Sequence, residues 1–118
     1  MLPLIKTTDT RAYVHTADPS VTASGDTLLE WIPASEAEAV ADDATRVYLR
    51  PLNSVEYFTS RAALVDHTGA EYGAAIADIV KLAVVRVEHY DGELAADLPG
   101  PVLDDLAAVI LSISGRAT

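Results

Sequence analysis

A chain of 118 residues suits a single domain. Its 18 acidic and 8 basic residues give a formal net charge of −10, which argues against nucleic acid or an anionic membrane as a partner, because both require a basic face. The chain has no cysteine, so disulfides and thiolate metal sites are excluded. The apolar start at residues 1–5 is too short for a signal peptide, and no apolar run reaches the roughly 18 to 20 residues of a membrane span.

The first 26 residues are rich in Thr, Ser, Asp and Pro and predict an extended N-terminal arm. Within this arm, RAYVH at 11–15 has the composition of a short strand, and TADPSVTASGD at 16–26 indicates a loop. An arm without clear periodicity either stays mobile or is ordered by a neighbour.

Two further strands are predicted at 27–33 (TLLEWIP) and 46–52 (RVYLRPL). We expect them to pair as an antiparallel hairpin, with the acidic segment 34–45 between them as either a loop or a short helix. The second strand alternates, so that Val47 and Leu49 share one face, and it ends at Pro51, which cannot donate to a ladder.

Three helices follow in the prediction. Asn53 and Glu56 have the spacing of a capping box, which predicts a helix from 53 toward His67 with Gly69 as its stop. A second helix is predicted from about 70 to 90 by an apolar stripe, although the β-branched run AVVRV at 83–87 weakens its last turns. The members of that stripe are Tyr72, Ile76, Ile79, Val80, Ala83, Val87 and Tyr90.

A turn-rich connection at 91–101 leads into the last helix, with Pro101 in its first turn and Gly115 at its end. The predicted fold class is therefore α+β in one domain. A short antiparallel β-hairpin or sheet (27–52) is followed by a three-helix body (53–118), and an extended N-terminal arm (1–26) precedes both.

No catalytic constellation stands out in the sequence. His15, His67 and His89 lack the spacing of a zinc site, although His89 lies beside acidic residues, and only a weak divalent site in the acidic segments remains open. The serines form no nucleophile elbow and the glycines form no phosphate-binding loop. We therefore expect a protein without cofactor or metal that is not an enzyme.

The predicted interface is the strand face that carries Arg46, Tyr48 and Arg50, joined by Trp31 and Tyr13. Arg, Tyr and Trp are typical interface anchors. The alternative is that the two arginines pair internally with the acidic segment EAEAVADD at 36–43.

Three stretches carry a resemblance: YLRPLNSVEYF at 48–58, YDGE at 90–93 and LPGPVLDDLAAVIL at 98–111. Over residues 46–113 the chain resembles small structural and morphogenesis proteins of tailed bacteriophages. The resemblance implies a structural role in capsid or tail assembly and a place in the virion after synthesis in the host cytoplasm.

Within that family the leading expectation is a capsid cement or decoration protein. Such a protein binds the major capsid protein or other virion proteins as a homo-oligomer or as part of a lattice. The alternatives are a tail assembly chaperone, which binds the tape-measure protein, and a head–tail connector subunit. A small acidic regulator of a basic partner is an alternative from another class.

Overall fold

The computed structural model describes residues 9–22 and 30–115. They form a mixed α+β fold, so the predicted fold class is confirmed. The strands are β1 (Arg11–His15), β2 (Val21–Thr22), β3 (Trp31–Pro33), β4 (Ala39–Val40), β5 (Arg46–Leu49) and β6 (Val84–Glu88). The helices are α1 (Ser54–Asp66), α2 (Gly69–Ala83), α3 (Leu94–Asp97) and α4 (Gly100–Ser114).

The main sheet is antiparallel and has the order β3-β1-β5-β6. The predicted hairpin of 27–33 with 46–52 is wrong, because β1 lies between β3 and β5 and pairs with both. The strand expected at 11–15 is confirmed, and this part of the predicted arm is an inner strand of the sheet. The predicted loop at 16–26 is wrong at 21–22, which form β2, and its residues 23–26 lie outside the described part of the chain. The predicted strand at 27–33 is confirmed at 31–33 as β3, and its residues 27–29 also lie outside the described part.

The sheet separates two apolar clusters. Tyr13, which lies opposite Val47 in the register, faces the helices and belongs to the main core with Leu49. Val14 points to the other face, where it packs with Val21 and with Ala44 under the small ribbon β2–β4. The segment 34–45 therefore forms a short 3-10 turn and one strand of this ribbon, not a helix.

The junction between β5 and α1 follows its predicted capping box. The Asn53 side chain accepts from the Glu56 amide at 2.9 Å, and the Glu56 carboxylate accepts from the Asn53 amide at 3.0 Å. The same carboxylate receives two hydrogen bonds of 3.0 Å from Arg50. This bidentate pair lowers the pKa of Glu56, chiefly through the Arg50 hydrogen bond.

The second predicted helix is correct only as far as Ala83. Residues 84–88 form strand β6, which begins directly after the last residue of α2. The reason is that β-branched residues favour extended backbone and that β5 is available as a pairing partner. The Ala83 carbonyl, at the end of α2, accepts from the Arg50 amide at 2.9 Å. Gly69 does not stop α1 as predicted, because α1 ends at Asp66 and Gly69 opens α2 with a φ of 60°.

Helix α4 matches its prediction, with Pro101 in the first turn and Gly115 following its last residue, and α3 is an additional turn of helix in the connection before it. The apolar side of α4 lies against α2 in the main core. Near its end, Ser114 is buried and accepts from the Leu52 amide at 2.8 Å while donating to the Ile110 carbonyl at 2.5 Å. Among the helices of residues 9–22 and 30–115, none combines the length and the apolar character needed to cross a bilayer.

Glu56→Ala should lower the free energy of unfolding by about 1–2 kcal/mol at pH 7, because the Glu56 half of the capping box and the Arg50 pair are lost, while the Asn53 side chain still caps the amide of residue 56. The folded pKa of Glu56 is depressed, so its contribution is present above the ordinary value of 4.5 and is lost as the pH falls through the lowered value. Urea unfolding from pH 7 to pH 3 should show the difference from wild type shrinking. Glu71→Ala, in the exposed first turn of α2, is the control; an equal loss in both variants would contradict the prediction.

Ser114→Ala should cost about 1–3 kcal/mol, because it leaves the buried Leu52 amide without an acceptor. The measurement is the free energy of unfolding in urea, with Ala108→Ser on the exposed side of the same helix as the reverse substitution. Equal stability of Ser114→Ala and wild type would show that the hydrogen bond contributes nothing net.

Candidate protein-binding surface

Helix α1 has two apolar sides. The inner side packs Tyr57 and Leu64 against the core around the buried Ser60. The outer side carries an apolar stripe, which we define as Val55, Phe58, Ala62 and Val65. Val55, Phe58 and Val65 are 76%, 66% and 80% exposed. The steps of three, four and three residues place the stripe along one line of the helix, in the spacing by which two helices pack.

A groove runs beside the stripe, between α1 and α2. It has a volume of about 540 Å³, and small side chains line much of it, including Ser60, Ala63, Ala74 and Ala75. Leu82, which is 41% exposed, lies at one end. Small residues allow a large side chain of a partner to enter the groove. The stripe lies on the same helix α1, although none of its four residues lines the groove.

The rim of this groove is acidic. Glu71 and Asp78 lie along its α2 side, and the His67 imidazole lies 3.2 Å from the Glu71 carboxylate. Acidic rims attract basic partners and help to orient them. A segment that carries apolar anchors flanked by Lys or Arg therefore matches this surface best.

The two arginines of the predicted interface have internal partners. The Arg46 guanidinium donates to the carbonyls of Ala41, Asp42 and Ala44 at 3.1–3.2 Å. Arg46 therefore binds the end of the acidic segment, as in the internal pairing that the sequence left open. The acceptors are backbone carbonyls and not carboxylates. Arg50 is bound to Glu56, and this hydrogen bond is the chief cause of the raised pKa of Arg50.

Tyr48 contacts two charged side chains on the outer face of β5 and β6. Its hydroxyl donates to Glu88 at 2.6 Å, and the Arg86 guanidinium lies 4.0 Å from the centre of its ring. The pKa of Glu88 is lowered, first by the Tyr48 hydrogen bond and also by nearby arginines. Unlike the stripe, this face is polar, and Tyr48 contacts both of these charged side chains.

Tyr13 and Trp31 are core residues in this chain, only 4% and 6% exposed, so neither is an exposed anchor. The indole N–H of Trp31 donates to the Val102 carbonyl at 3.1 Å, and His15 packs edge-on against the indole ring at 5.0 Å. Burial lowers the pKa of His15. Tyr13 and Trp31 also border a cleft of about 330 Å³ between the sheet and α4.

The histidines of the described residues do not converge on one site. His15 lies on β1, His67 follows α1, and His89 follows β6, where its carbonyl accepts from Thr45. Within residues 9–22 and 30–115, no group of three or more potential metal ligands lies close together.

Comparison with protein-family models, with curated proteins and with solved structures found no match.

Sequence reasoning missed the apolar stripe of α1, although the signal was present. Val55, Phe58, Ala62 and Val65 repeat at heptad spacing, whereas the sequence prediction placed Phe58 in the helix together with Tyr57 and Leu64 and did not separate its two sides. A helix with two apolar sides has no clear polar direction, so the pattern does not say which side meets the core.

Phe58→Ser should change the free energy of unfolding by less than about 0.5 kcal/mol, because the ring is mostly exposed. Leu64→Ala, on the inner side of the same helix, should cost about 1–3 kcal/mol because it removes packed apolar atoms. Urea unfolding of both variants measures the difference. A large loss for Phe58→Ser would mean that the ring contributes to folding and that the stripe is not a free surface.

Proposed function

We propose that this chain is a non-enzymatic assembly protein of a tailed phage, acting as a tail assembly chaperone that holds an amphipathic helix of its partner. The observation that carries the proposal is the exposed stripe of α1 beside the groove between α1 and α2. An apolar stripe at helical spacing fits the apolar side of another helix, which enters as a row of anchors. The phage context rests on the resemblance of residues 46–113.

The distribution of contacts favours the chaperone over the capsid cement. The cement hypothesis used Arg46, Tyr48, Arg50, Trp31 and Tyr13 as contact residues. In the folded chain, hydrogen bonds within the protein engage the first three, and the two others lie in the core. The large exposed apolar side chains of α1 remain, and a chaperone needs such a surface to cover apolar segments of an unassembled partner.

The capsid cement protein is the second candidate. It is favoured by the open outer face of β5 and β6, where Tyr48 holds Arg86 and Glu88 in fixed positions. An ordered Arg and Tyr pair on a sheet is a typical contact element for a neighbouring subunit.

Mass spectrometry of purified particles, with copy number relative to the major capsid protein, separates these roles. The chaperone is expected in infected cells, bound to tail proteins, and absent from mature particles. Hundreds of copies per particle would overturn it in favour of cement, and about a dozen would indicate a connector ring, as expected from the symmetry of such assemblies. A tight one-to-one complex with a basic host protein would instead identify an acidic regulator.

The double variant Val55→Ser with Val65→Ser should reduce capture of the tail partner at least about tenfold, since two anchors lose their apolar burial. Val85→Ser on β6 is the control, because Val85 is also exposed, at 53%, but does not lie on α1. Capture can be measured by affinity purification from infected cells. Equal capture by both variants would contradict a binding role for the stripe.

A further inference from the structure

Strand β6 is an edge of the main sheet. In the described part of the chain its hydrogen-bonded neighbour is β5 alone, so its other side presents backbone groups without a strand beside it. The opposite edge is β3, which has three residues and ends at Pro33, a residue without an amide hydrogen. Short length and proline protect β3 from pairing with other strands, whereas β6 has five residues and no proline.

The composition of β6 suits pairing. Its sequence is VVRVE, and three of its five residues are β-branched valines. Val85 is 53% exposed and Arg86 is exposed as well. An accessible edge of this kind is the structural element to which a further strand is added in β-augmentation.

The charges of β6 identify the strand that fits. In an antiparallel pair of two β6 strands with Val87 opposite Val87 of the second copy, Arg86 of each strand lies opposite Glu88 of the other. The pair then contains two cross-strand ion pairs related by a two-fold axis and no facing like charges. Opposite charges at facing positions stabilise a strand pair, and like charges destabilise it.

We propose that a second copy of this chain docks on the free edge of β6, so that two four-stranded sheets join into one through an antiparallel β6–β6 pair. A two-fold interface brings the same surface of both copies into contact, as an antiparallel pair of identical strands does. The proposal does not depend on the proposed function, because the groove and stripe lie on α1 and α2 while this surface is the sheet edge.

Tyr48 prepares both charged side chains for this contact. It fixes Glu88 through the 2.6 Å hydrogen bond to one carboxylate oxygen, and its ring supports the Arg86 guanidinium. This hydrogen bond uses one oxygen of Glu88, so in the proposed pair the other oxygen is the one that accepts from Arg86 of the second copy. Side chains that are already ordered lose less conformational entropy on association.

The dimer should be weak. In this register only residues 86–88 of the two β6 strands face each other, so the pair buries less than a standard interface, and each copy carries a net charge of −10. We therefore expect a dissociation constant in the micromolar range at about 0.15 M salt, where the Debye length of about 8 Å screens the net charge more than the contacting pairs.

Sedimentation equilibrium of the full chain over a range of concentrations tests the proposal with charge reversals. Arg86→Glu and Glu88→Arg should each weaken self-association at least about tenfold, because each change places like charges at both facing positions. A mixture of the two variants should form a heterodimer, because the facing charges are opposite again. Arg61→Glu is the matched control for Arg86→Glu, since Arg61 is an exposed arginine stacked on Tyr57 of α1.

Hydrogen exchange supplies a second measurement. Amides of residues 84–88 that exchange fast in dilute protein should become protected as the concentration rises through the dissociation constant, while those of α1 should not. A wild-type chain that stays monomeric into the high micromolar range would overturn the proposal. So would a dimer that survives both reversals, or a mixture of the two variants that fails to associate. Circular dichroism of each variant establishes that it is folded, and the double variant at Val55 and Val65 should dimerise as wild type does.

Discussion

The position of β1 between β3 and β5 is the constraint on which the rest of the fold depends. Both faces of this strand are covered, because Tyr13 enters the main core under the helices and Val14 enters the second cluster under the ribbon β2–β4. The two apolar clusters therefore share one inner strand. The register that places Tyr13 opposite Val47 and Pro33 also fixes β3 beside α4, where the Trp31 indole reaches the Val102 carbonyl. A one-residue shift in the pairing register of β1 would exchange its two faces and disrupt both apolar clusters.

The arginines of β5 illustrate how the same residue types can serve a fold instead of a surface. Arg46 closes the acidic segment through three carbonyls, and Arg50 joins the end of the strand to the first turn of α1 through Glu56. Among the described residues, most of the large exposed apolar side chains lie instead on α1 and α2.

Local signals in the sequence predicted local structure well. The capping box at Asn53 and Glu56, the alternation at 46–49, and the proline and glycine that bracket α4 each act within a few residues, so they can be recognised without the tertiary fold. Two things could not be recognised that way. The pairing of β1 with β5 joins segments far apart in sequence, and the run at 83–87 reads as helix until a neighbouring strand is available. The internal partners of Arg46 and Arg50 lie within a few residues of them, but Arg, Tyr and Trp residues on neighbouring strands fit a core as readily as an interface.

The direct passage from α2 to β6 at Ala83 and Val84 has a consequence for how such a chain can vary. No loop residue separates the two elements, and the Arg50 amide binds the last carbonyl of the helix. One residue inserted into α2 would turn all that follows by about 100°, and one inserted into β6 would exchange the faces of the strand. The connection at 34–45 contains short turns that can absorb added length. Natural length variants of this protein should therefore accumulate in that connection, and the α2–β6 boundary should keep its residue count.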